Sequence, residues 1–203
     1  FPGPRSFDFV KGPTTIGLVP PEYREERVRV YKLLADFAKM VGAPSLITHA
    51  GFIPENKTDS EYLPVIRAIA EVAEHCAKLD IDFWLETGQE TPVVLLRTME
   101  QIGTDNLGIN LDPANLILYG KGNPVDALDV IGPYIRGFHV KDGLYPTNGN
   151  ELGQRVKSGQ GKVDFPKLFS GLKELGYRGN WIIEESYQDI PDTIKFIRND
   201  IVF

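Results

Sequence analysis

Five residues of this chain combine reactive chemistry with a telling position: His49, Glu86, Asp112, His139 and Glu184. Each closes a short apolar segment, and each is of a type that binds a metal ion or carries a proton. Glu86, Asp112 and His139 succeed one another at 26 and 27 residues, one strand-plus-helix repeat apiece, and Glu184 follows 45 residues later, which leaves room for two repeats and a short strand between them. Glu86, Asp112, His139 and Glu184 supply three carboxylates and one imidazole. That set suits one divalent cation, and its excess of oxygen donors favours Mn²⁺, with Mg²⁺, Co²⁺ and Zn²⁺ as alternatives. Taken singly, each carboxylate is more commonly a helix cap or a surface ion pair, and His139 is as readily a satisfied core histidine. Convergence in space is what would make them a site.

The elements that must position them follow from periodicity. In Gly137 to Gly143, alternation puts Phe138 and Val140 on one face and His139 and Lys141 on the other, and Asp142-Gly143 breaks the strand. Lys141 reads equally as an inward cation and as a loop lysine. Strands are expected at Ser45–His49, Ile81–Glu86, Leu107–Asp112, Ile135–Val140 and Trp181–Glu185. Parity puts Glu86 with Trp84 and Asp82, Asp112 with Asn110 and Gly108, and Glu184 with Ile182, while Phe83, Leu85, Ile109, Leu111, Ile183 and Glu185 face covering helices. Helices are expected from Pro21 to Gly42, with Val28, Tyr31, Leu34, Phe37, Ala38 and Val41 as the apolar stripe, and from a capping box at Thr58 to Glu61. Others run from Thr91-Pro92 to Gly103, around Ala127 to Ile131, from Phe165 to Leu175, and onwards from Pro191. Residues 1 to 20 and 143 to 164 read as loops. Alternating strands and helices predict a parallel sheet covered by helices, whose strand ends share one face.

Composition narrows the function. The chain has 203 residues, 42% hydrophobic and 25% charged, an ordinary globular balance, with a formal net charge of -6. That charge argues against a nucleic-acid partner. No apolar run is long enough for a membrane span, and Phe1-Pro2-Gly3-Pro4 has no signal-peptide character. A soluble protein, cytoplasmic or periplasmic, is expected. The one cysteine, Cys76, sits in a helical pattern as a small buried hydrophobe.

Several ordered pieces carry a resemblance: Gly17-Leu18-Val19-Pro20, Thr48-His49-Ala50-Gly51-Phe52, Leu85-Glu86-Thr87-Gly88-Gln89-Glu90, Leu111-Asp112-Pro113-Ala114-Asn115-Leu116, Phe138-His139-Val140-Lys141-Asp142, Gly159-Gln160-Gly161-Lys162-Val163-Asp164-Phe165 and Ile182-Ile183-Glu184-Glu185. Together they resemble the sugar phosphate isomerase/epimerase family of the xylose isomerase-like barrels, whose superfamily includes D-tagatose epimerase, inosose dehydratase and endonuclease IV. The resemblance implies an α/β fold, a (β/α)₈ TIM barrel forming a single domain over residues 1–203. In this chain the first one to two βα units would precede Phe1. It implies one divalent metal on Glu86, Asp112, His139 and Glu184, and it supports Asn115 and Asp142, with His49 and Lys141, as substrate contacts.

On such a centre a keto-sugar could be held by its carbonyl and neighbouring hydroxyl. Glu86 and Glu184, expected four strands apart, would then flank it and exchange a proton through an enediolate, which gives epimerisation or isomerisation. Removal of the same proton can expel a leaving group, so a lyase or hydratase of a keto-sugar or 3-keto-glycoside is the alternative. An abasic-site nuclease and a non-catalytic sugar-binding barrel are more distant. The expected partner is a small carbohydrate, and a homo-oligomer is one way to cover open sheet edges.

Overall fold

The computed structural model describes residues 2–200; Phe1 and residues 201–203, which the single-domain reading includes, lie outside the described residues. The order of elements is α1 (Pro21–Val41), β1 (Ser45–Thr48), α2 (Tyr62–Lys78), β2 (Asp82–Glu86), α3 (Pro92–Ile102), β3 (Leu107–Leu111), α4 (Pro113–Leu118), α5 (Ala127–Ile131), β4 (Ile135–Val140), β5 (Asp142–Leu144), β6 (Gln154–Val156), α6 (Phe165–Glu174), β7 (Trp181–Ile183) and α7 (Ile190–Asp200). Five strands pair in parallel in the order β1-β2-β3-β4-β7. A closed barrel of this type has about eight strands, so the described sheet is an open arc with edges at β1 and β7.

Strand parity works as alternation dictates. Phe83, Leu85, Ile109, Leu111, Phe138 and Val140 are almost wholly buried against the helices, and each such side chain contributes about 1.5–3 kcal/mol by leaving water. Phe138 meets the rings of Phe169 on α6 and Trp181 on β7. The opposite face carries Trp84, Glu86, Asn110 and His139.

Four expectations need correction. No strand lies between β4 and β7 among the described residues; they pair directly, His139 opposite Ile182, and the antiparallel hairpin β5/β6 fills the interval. Glu86 and Glu184 therefore belong to strands three positions apart, not four. The capping box at Thr58 does not open α2. Thr58 bonds Asn56, Asp59 accepts from the Glu61 amide at 2.8 Å, and the helix begins at Tyr62 while Glu61 pairs with Arg24 at 2.5 Å. Finally, α1 buries Val28, Tyr31, Ala35 and Ala38, whereas Leu34, Phe37 and Val41 of the expected stripe are exposed.

Residues 2–20 contain no strand or α-helix, yet they are firmly attached. Arg27 on α1, fully buried, donates to the carbonyls of Pro2 (3.0 Å), Pro4 (3.0 Å) and Gly17 (2.6 Å). Gly17 has φ +69°, and a Cβ there would lie 1.9 Å from the Ala50 carbonyl oxygen, so only glycine lets this segment reach β1's end. The Leu18 amide then donates to that same oxygen at 2.8 Å.

Candidate metal centre

Strand ends deliver the reactive groups. Glu86 is the last residue of β2, Asp112 follows β3, His139 lies near the end of β4, and Glu184 follows β7, its amide bonded to the Val140 carbonyl at 3.1 Å. One ligand atom from each lies within 4.8 Å of the others. Around Nδ1 of His139 stand Glu86 Oε1 at 3.6 Å, Asp112 Oδ2 at 3.5 Å and Glu184 Oε2 at 3.0 Å. Glu185 points the other way, as parity requires, and accepts from the Ser158 amide at 2.9 Å and hydroxyl at 2.5 Å.

The groups behind this centre fix its geometry. Asp112 is fully buried and caps α4, its Oδ1 accepting from the Asn115 amide at 2.9 Å. The cap and the cluster are thus served by two oxygens of one carboxylate. Thr87 joins β2 to β3, its hydroxyl accepting from the Asp112 amide and donating to the Asp112 carbonyl, both at 2.8 Å. Asn115 donates to Glu86 Oε1 at 3.0 Å and accepts from Lys141 at 3.0 Å. Lys141, buried, also donates to Asp112 Oδ2 at 3.0 Å and pairs with Glu184 Oε1 at 2.9 Å. Arg155 on β6 donates to the Glu184 carbonyl, with its guanidinium 3.7 Å from Glu184 Oε1.

Not every expected contact faces a ligand. Lys141 and Asn115 are spent on the carboxylates they orient. Asp142 is fully buried and its carboxylate accepts from the amides of Gly143 (2.8 Å), Gly159 (3.0 Å), Gly161 (2.8 Å) and Val163 (3.1 Å), so it organises the 158–163 loop and has no oxygen to offer a substrate. His49 is at the site, Nε2 3.6 Å from Glu86 Oε1, its ring edge-on to Phe7. Thr87, Asn110 and Arg155 were not anticipated. Parity already placed Asn110 beside Asp112, whereas nothing in the sequence placed Arg155, because its hairpin reads as loop.

Electrostatics follow from burial and neighbours. Burial pushes the Glu86 carboxyl up to about 7, with the Asp112 charge acting the same way. The His139 ring beside it holds Glu184 far below the usual carboxylate range, against burial and with help from Lys141. Burial lowers His139, but the Asp112 and Glu184 carboxylates beside Nδ1 outweigh that and raise it. His49 is pushed down to about 4 by burial, so its imidazole is neutral at pH 7.

The donor set fits a divalent cation. Three carboxylate oxygens and a ring nitrogen converge, and Nδ1 of His139 is buried without a hydrogen-bond partner in good geometry. The chain belongs to the xylose isomerase-like TIM barrels: the model of that family matches residues 8–200. A xylose isomerase domain protein from Planctomyces limnophilus superposes with a TM-score of 0.92 at 38% identity, covering 98% of this chain and 72% of that one. An inosose dehydratase of Geobacillus kaustophilus is 29% identical over 157 residues, 67% of this chain and 50% of its own length. D-psicose 3-epimerase from Clostridium cellulolyticum H10, solved with D-tagatose, superposes with a TM-score of 0.63 at 18% identity, covering 81% and 57%. The chain spans about half the length of the curated relatives it matches.

Proposed function

We propose that this protein is a divalent-metal-dependent isomerase or epimerase of a sugar or sugar phosphate, acting by proton transfer next to a carbonyl. The observation that carries the reading is the pairing of Glu86 and Glu184 across one centre, each within 3.6 Å of His139 Nδ1 and on strands three apart. Glu86, Asp112, His139 and Glu184 would hold the ion, Mn²⁺ by the oxygen-rich count. When bound, it supplies Lewis-acid stabilisation of the negative charge that develops beside the carbonyl. One of Glu86 and Glu184 removes the proton from the carbon next to the carbonyl and the other returns one from the opposite side, so the enediolate collapses with inverted configuration or with the carbonyl moved. Lys141 and Asn115 hold these carboxylates in place, and neutral His49 offers a ring nitrogen to a substrate hydroxyl.

A second reading, a dehydratase or other lyase of a keto-sugar, has the inosose dehydratase relative in its favour. It uses the same proton removal and differs in losing a leaving group on the neighbouring carbon. Both are tested by incubating the protein, loaded with Mn²⁺, with ketoses, sugar phosphates and 3-keto-glycosides in D₂O. Deuterium at the carbon next to the carbonyl with conserved mass of the skeleton supports the isomerase; loss of water or an aglycone supports the lyase. Glu184→Gln should abolish exchange with its circular dichroism unchanged, and full exchange in that variant would overturn the acid-base assignment.

A further inference from the structure

Asn110 stands on the inward face of β3, fully buried, and its amide lies 3.1 Å from Nε2 of His139, the ring nitrogen turned away from the carboxylates. The opposing strand is shaped to receive it. Gly137 is its partner in the parallel ladder, and a Cβ at that position would lie 2.4 Å from Asn110 Oδ1 and 3.1 Å from the Trp84 ring. The far atom of the amide, Oδ1 as placed, is buried without a partner, and Nδ1 of His139, 3.0 Å from Glu184 Oε2, makes no well-aligned hydrogen bond.

We propose that Asn110 is a positioning residue that fixes the tautomer of His139, with Gly137 as the gap that lets its amide reach Nε2; this rests on reading the four-residue cluster as a divalent-cation site. Nδ1 can offer its lone pair to a cation only when the ring proton sits on Nε2. A buried Nε2–H needs an acceptor, and Asn110 occupies that place. The two ends of an amide exchange by a half turn about the last side-chain bond, and with the oxygen towards the ring Asn110 accepts the Nε2–H. A ligating histidine is often oriented by a carboxylate. Here three carboxylates already crowd the centre, and a neutral amide orients the ring without adding a fourth negative charge.

The test uses the full chain, Mn²⁺ by equilibrium dialysis and Zn²⁺ for nuclear magnetic resonance of the ¹⁵N-histidine-labelled protein. Asn110→Leu should raise the dissociation constant for both ions by about 10–100-fold, and should lose the slowly exchanging Nε2–H signal that the wild type shows when loaded. Asn110→Asp, which keeps the shape and supplies an acceptor in either orientation, should restore both to within a few-fold of wild type, and this separates positioning from a packing defect. Gly137→Ala, which displaces the amide, should weaken binding in the same direction as Asn110→Leu. If Asn110→Leu binds both ions as the wild type does and keeps the Nε2–H signal, the assignment of Asn110 is overturned while the cation site stands. If the wild type takes up neither ion, the cation-site reading fails and the tautomer role falls with it.

Discussion

Replacing Asp142 with alanine should cost this protein about 3–5 kcal/mol, although the residue touches no ligand position. Its carboxylate serves four backbone amides at 2.8–3.1 Å, on Gly143, Gly159, Gly161 and Val163. Hydrogen bonds to a charged group are worth about 1.5–3 kcal/mol each, and an amide left unpaired in a buried place costs about 1–3 kcal/mol. Gly159 is exposed and water can replace its partner, and the Gly143 bond is local, so Gly161 and Val163 carry most of the loss. Asp142→Asn keeps the volume but turns an NH₂ towards two donors, and it should fall in the same range. Urea unfolding followed by fluorescence measures the effect. With a denaturant slope of about 2 kcal/mol/M, the midpoint should fall by about 2 M, and amide exchange at Gly161 and Val163 should accelerate in the native state. A loss below about 1 kcal/mol, with those amides still protected, would refute the reasoning.

Glu90 is almost fully buried, neither carboxylate oxygen has a partner, and burial pushes its carboxyl up to about 8. A carboxyl raised on folding favours the folded state below its unfolded value of about 4.3 and loses that advantage as pH rises through the folded value. Glu90→Gln should therefore match wild-type stability within about 0.5 kcal/mol at pH 4 and exceed it by about 3 kcal/mol or more at pH 9 in thermal scans; equal stability at pH 9 would count against a buried, partnerless carboxyl. Cys76 is fully buried with its thiol pushed up to about 11, chiefly by burial. A thiol-specific disulfide reagent should leave it unlabelled at pH 8 until denaturant is added, and prompt labelling of the native protein would show that α2 opens readily.

Strand positions and the four converging groups were legible because both rest on short-range regularities. A period of two sends Glu86, Asp112, His139 and Glu184 to the inner face, and parallel pairing brings strand ends together whatever the distance along the chain. Glu184 could be chosen over Glu185 on that ground. Other features lacked such a signal. In α4 all of Pro113 to Leu118 are buried, so the segment has no polar face and no helical period to read. The hairpin strands are three residues each, and Gln154-Arg155 are exposed, which leaves no apolar alternation. On α1 the apolar residues form more than one stripe, and sequence cannot say that Ala35 packs while Phe37 does not. Asp142 was ambiguous for a different reason. A buried carboxylate at a strand end can serve a ligand or its own loop, and only the amides of Gly159 to Val163 decide between them.

The three carbonyls gathered by Arg27 tie the leading segment to one helix. Residues 2–20 owe no register to a sheet; they are held from two sides, by the Arg27 guanidinium on α1 and by the Leu18 amide on the Ala50 carbonyl after β1. The same segment places Phe7 against His49, the neutral imidazole beside Glu86. One segment that belongs to no strand thus touches both the outer helix layer and the mouth of the centre.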